Sequence, residues 1–120
     1  MSLMRRREMM GKLAESELFT YVGTYTFTNT YGRVSIGFDA DDDSVYFLVP
    51  QNAEIINNIF IIVSIRNGKY GFSYCNENNT NGLTSENNYT LSDGEVSFAI
   101  STTNSNIYNV EYDLFKMSQI

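Results

Sequence analysis

Two stretches of this chain hold most of the side chains with chemical potential. The first is FDADDDSVYF, residues 38–47, in which Asp39, Asp41 and Asp43 occupy alternate positions. That spacing matches the first ligands of an EF-hand loop, and carboxylate oxygens suit calcium. The rest of the motif fails. Its sixth position is Ser44 where glycine belongs, its twelfth is Pro50 where a bidentate glutamate belongs, and strand-like sequence flanks it on both sides. A β-scaffold can still complete a calcium site with a remote carboxylate. The competing reading, favoured by the missing ligands, is a solvated hairpin tip in which aspartates promote the turn and keep a sheet edge soluble.

The second stretch is CNENNTNGLTSENNYT, residues 75–90. It gathers Asn76, Asn78, Asn79, Asn81, Asn87 and Asn88 between Tyr74 and Tyr89. An asparagine amide both donates and accepts, and with tyrosine it makes a workable kit for sugar hydroxyls. Loops on a rigid scaffold are where binding concentrates. The alternative is a solvated connection of no special role. Catalysis has little to work with. The chain has no histidine and a single cysteine, Cys75, so a histidine base, an internal disulfide and a cysteine zinc site are excluded. A carboxylate pair for glycoside hydrolysis is the one remaining chemistry, but the acidic residues fall mostly at turns and outward strand positions. The expectation is a non-enzymatic protein with no cofactor, calcium excepted.

The elements that must position these residues read as strands. In LFTYVGTYTFT, Phe19, Tyr21, Tyr25 and Phe27 share one parity and Thr20, Thr24 and Thr26 the other. This alternation predicts a strand with an aromatic face and a threonine face, and Gly23 predicts a bulge within it. RVSIGF alternates likewise, and VYFLV forms a strand that Pro50 ends. IFIIVSI, residues 59–65, is nearly continuous apolar sequence and predicts a central strand covered on both faces. Asn67-Gly68 predicts a type I′ hairpin turn, since both residues tolerate positive φ. Residues 75–88 read as a polar loop. NYTL and EVSFAIS, joined by Ser92-Asp93-Gly94, read as a second hairpin, and IYNVEYDLF as the last strand. Seven or eight short strands without helical period predict an all-β antiparallel sandwich of jelly-roll or Ig-like type over residues 18–120.

Residues 1–17 stand apart. They hold four basic and three acidic residues, net +1, whereas residues 18–120 hold four basic and eleven acidic residues, net −7. So acidic a body repels phosphate backbones and anionic membrane surfaces, which argues against nucleic-acid and membrane partners. The longest apolar run is far short of the roughly 20 residues that cross a bilayer as a helix. The leader MSLMRRREMMGKL has no apolar core after its arginines, so it does not read as a secretory signal. It reads as a basic arm with room for a short helix. Arg5, Arg6 and Arg7 can pair with carboxylates, while Met9 and Met10 adapt to uneven apolar surfaces.

The run Arg5-Arg6-Arg7-Glu8-Met9-Met10 resembles the RRRxMM-type leaders of small virion-associated proteins, tail or head accessories, of gut-bacterial phages and prophages. The resemblance covers about ten residues. It implies a structural protein of the virion, present in the host cytoplasm before assembly. Its partners would be other virion proteins or further copies of itself, a homotrimer included. A carbohydrate-binding module using Tyr74, Tyr89 and the asparagines is the rival reading, with glycans as the partner.

Overall fold

The computed structural model describes residues 18–51, 58–76, 83–102 and 105–117, with backbone alone for 58, 59, 75, 76 and 83–87. Eight strands alternate along them: β1 Phe19–Thr30, β2 Arg33–Asp39, β3 Val45–Pro50, β4 Asn58–Arg66, β5 Lys69–Asn76, β6 Leu83–Thr90, β7 Glu95–Ser101 and β8 Tyr108–Met117. All pairings are antiparallel, and no helix occurs among the described residues. The all-β expectation holds. The strands form one hydrogen-bonded sheet in the order β6-β5-β4-β3-β8-β1-β2-β7, strongly curled into a half-barrel, where the sequence suggested two sheets of a sandwich.

The curl has a local cause. β1 and β2 are paired only next to their turn, at Asn29–Val34 and Thr30–Arg33. Beyond those two pairs β2 diverges from β1, and β7, paired along the whole of β2, goes with it. This carries Phe98 of β7 across the concave face to stack on Phe72 of β5, with ring centroids 3.9 Å apart. The Tyr70 hydroxyl donates to the Ser97 carbonyl at 2.5 Å and accepts the Ser97 N–H at 3.0 Å. A side chain thus meets backbone groups on an edge strand that would otherwise be open to further pairing.

The concave face is the core. Alternate residues along the strands are buried there, among them Ile36 and Phe38, Tyr46 and Leu48, Ile61 and Val63, Tyr112 and Leu114. Each such side chain contributes about 1.5–3 kcal/mol on burial. β4 lies inside the sheet, as its composition predicts, but only its concave residues Ile61, Val63 and Ile65 are fully buried; Phe60 and Ile62 on the convex side are half-buried. Asn67 and Gly68 have φ of 53° and 74° and join β4 to β5 by the expected tight turn, with Arg66 opposite Lys69.

Two expectations are corrected. The asparagine-rich stretch is not one loop from 75 to 88, because β6 begins at Leu83 and pairs with β5. An edge strand needs no apolar alternation on an exposed side, so its polar sequence concealed it. The second hairpin is also not a hairpin. Asp93 and Gly94 do form a positive-φ turn, closed by Ser92 and Glu95, but β6 and β7 lie at opposite edges of the sheet. A turn signal shows that the chain reverses; it does not show that the flanking strands pair.

Candidate docking surface on the convex face

The three aspartates of the acidic stretch go separate ways. Asp39 ends β2 opposite Glu95 and is exposed. The Asp41 carboxylate accepts from the Lys116 ammonium at 2.7 Å. Asp43 Oδ1 accepts from the Asn67 N–H at 3.1 Å, and the intervening Asp42 Oδ1 accepts from Gly68 at 2.9 Å and from Asp43 at 2.8 Å. The stretch therefore clamps the neighbouring Asn67-Gly68 turn. Among the described residues no group of three or more acidic or cysteine side chains is placed to hold a metal ion. The bond to Asp41 is the main reason that the Lys116 pKa is raised, against a smaller lowering by partial burial.

Of the asparagine cluster, Asn78, Asn79 and Asn81 lie outside the described residues, and the side chains of Asn76 and Asn87 do as well. Asn88 takes a positive φ of 74° on β6. Tyr74 is half-buried and stacks on Phe72, centroids 6.1 Å apart. Tyr89 is 38% exposed and stacks on Tyr70 at 5.5 Å. Arg5, Arg6, Arg7, Met9 and Met10 lie outside the described residues.

Sequence reading did not anticipate the most distinctive surface of the described residues. It arises from the bulge at Gly23. Tyr21 is opposite Phe115 and Gly23 opposite Leu114, so Val22 is the extra residue. One added residue reverses the parity of everything before it. Tyr25 and Phe27 therefore face the concave core, whereas Phe19 and Tyr21, of the same sequence parity, face the convex side with Thr24 and Thr26. The predicted single aromatic face is split across the sheet.

On the convex side these residues complete an apolar row. Ile62, Phe47, Phe115 and Tyr21 are directly opposite one another on the consecutive strands β4, β3, β8 and β1. Phe19 and Phe60 extend it, each packed on Phe47 with centroids 5.2 and 5.5 Å away, and Tyr21 lies 5.6 Å from Phe115. Phe115 is almost wholly buried yet is not part of the concave core cluster. Toward the end where β1 begins, the row opens into an exposed corner of Leu18, Tyr21, Val22 and Met117, 48%, 44%, 44% and 39% exposed. The convex face of a one-layer antiparallel sheet normally alternates outward polar residues. Here that holds along the other half of β1, where Thr24, Thr26 and Thr28 lie opposite Asp113, Glu111 and Asn109.

A polar network borders the row. Asp113, 3% exposed, accepts at Oδ1 from Thr24 at 2.6 Å and from the Gln51 amide at 2.9 Å, and Thr24 is hydrogen-bonded to the Tyr21 hydroxyl at 2.6 Å. The second Asp113 oxygen has no hydrogen-bond partner among the described residues. On the concave side burial pushes the Tyr112 hydroxyl far above its ordinary pKa, so it stays neutral. Comparison of the chain with protein-family models, with curated proteins and with solved structures finds no match.

Proposed function

We propose that this protein is a non-enzymatic structural or accessory component of a phage virion, fixed to its neighbours by the N-terminal arm. The observation that carries this reading is the position of the arm's exit. The chain leads from residue 17 directly into the exposed apolar corner of Leu18, Tyr21, Val22 and Met117, and we read basic arm and apolar corner as parts of one attachment region. Arginine forks in the arm pair with carboxylates of a partner, and the corner supplies apolar contact. The resemblance of Arg5–Met10 to phage leaders supplies the setting, a virion or the host cytoplasm before assembly. The partner is another virion protein or a further copy in a homotrimer. The body we read as sandwich-like, the β2–β7 ribbon serving as a second layer over the other six strands. Deleting residues 1–17 tests the role. The truncated body is expected to stay folded and to disappear from purified particles; incorporation at the level of the full chain sinks the reading.

A second reading is carbohydrate binding at the β6 edge. Tyr89 favours it, being more than one-third exposed and braced from behind by Tyr70 and Phe72, which gives a rigid ring for a sugar face. A glycan array run with and without calcium decides it, and loss of any signal in a Tyr89→Ala variant places the site.

A further inference from the structure

We propose that the convex apolar row is the seat of the chain's own N-terminal arm, residues 1–17. The row is defined by its geometry: Ile62, Phe47, Phe115 and Tyr21 are in cross-strand line, flanked by Phe19 and Phe60. Three observations select the arm as occupant. The first is connectivity. β1 begins at Phe19, itself a member of the row, so the arm is tethered one residue away, and a tethered segment reaches its seat at high effective concentration. The second is reach and composition. Four adjacent strands span roughly 15 Å, and seventeen residues cover about 25 Å even at the short rise of a helix. Leu3, Met4, Met9, Met10 and Leu13 give that length an apolar complement, and methionine fits irregular aromatic surfaces well. The third is charge. An arm of net +1 is steered toward a body of net −7 by the field of the whole body, without its arginines having to touch it, whereas a second body of net −7 is repelled.

This deepens the attachment reading and rests on it for the role of the arginines. Seated by its apolar residues, the arm is a fixed feature of the surface that presents Arg5, Arg6 and Arg7 outward, and no longer a loose tether. A fixed arm loses less entropy when a partner binds.

The experiment is NMR on the full-length chain with methyl-labelled methionine. The Met9 and Met10 methyl signals are expected to be shifted upfield by ring currents and to show NOEs to the rings of Tyr21, Phe47 and Phe60. A Met9→Ser/Met10→Ser double variant, altered only in the arm, is expected to leave the body folded and to raise dye binding to the apolar row severalfold. Random-coil methyl shifts without NOEs overturn the proposal. So do NOEs that appear only between differently labelled copies, which assign the row to a second copy. Particle incorporation is measured separately: a seated arm on a protein that never enters particles leaves this inference standing and removes the virion reading.

Discussion

On one side of Val22, β1 sends Tyr25 and Phe27 into the concave core; on the other it sends Phe19 and Tyr21 to the convex face. The four aromatics have the same spacing parity and similar chemistry, yet they do different work. Phe27 is buried and tilts against Tyr112 at 5.9 Å. Tyr21 lies 5.6 Å from Phe115 with its ring 44% exposed and its hydroxyl engaged by Thr24. The first pair stabilises the fold. The second makes a surface. The difference teaches that a single extra residue can convert core-forming sequence into interaction-forming sequence without changing one side chain.

The sharpest way to break that contrast is to remove an aromatic from each face. Phe72→Ala leaves a cavity where the two ends of the curled sheet meet, against Phe98. It is expected to cost about 3–5 kcal/mol, whereas Phe47→Ala on the half-buried convex row costs about 1–1.5 kcal/mol. Urea denaturation of the two variants reads this directly. Equal losses would mean that the convex row is a second core and not a surface.

Two single-residue deletions in β1 come next. Deleting Val22 removes the bulge and keeps both halves in place, because Tyr21 and Gly23 already pair with the consecutive residues Phe115 and Leu114. The expected loss is within about 1 kcal/mol. Deleting Thr26 instead turns Tyr25 out of the core and breaks the bond from Thr24 to Asp113, at about 2–4 kcal/mol. Thermal melts of the pair check the order. A Val22 deletion as damaging as the Thr26 deletion would mean that the bulge has a structural task of its own.

These deletions also mark where the sequence was legible. Asn67-Gly68, Pro50 and the interior place of β4 are local or compositional signals, and each appears in the structure as read. Gly23 flagged the bulge correctly. What could not be read was its consequence, since alternation counted across a bulge assigns the wrong face to every residue beyond it. The pairing of β6 and β7 was misjudged for a related reason. Turn residues report the local reversal at Asp93-Gly94, while the partner of each strand is set by the curl of the whole sheet. The acidic stretch was legible as a turn but is no hairpin tip, since β8 and β1 lie between β2 and β3, and its use as a clamp on the Asn67-Gly68 hairpin depends on two segments meeting far apart in sequence.

The seam at β7 offers a smaller test. In Tyr70→Phe the ring stays and only the hydroxyl bonded to Ser97 is lost. Two backbone groups then lose their partner, for about 1–3 kcal/mol. The β7 edge also becomes a template for pairing, so concentration-dependent association by light scattering should accompany the loss. Destabilisation without association would show that curvature alone protects that edge.

The weakest expected effect concerns Lys116, which lies between two members of the convex surface, Phe115 and Met117, but points to the mouth of the concave side, where it holds Asp41. Because the hydrogen bond to Asp41 raises its pKa in the folded chain above the ordinary 10.5, its contribution is complete below that value. The contribution fades as pH rises through the folded value. The Asp41 side chain is 73% exposed, which limits the pair to about 0.2–1 kcal/mol. Lys116→Met should therefore lower stability slightly at pH 7, and the gap to the wild-type chain should close above about pH 10.5 as the wild-type lysine loses its proton. Measured against Phe47→Ala, whose cost has no such dependence, this separates a charge at the mouth from an apolar surface one strand position away. A gap that persists unchanged at high pH would mean that the Lys116 stem, packed beside Tyr46, matters more than its charge.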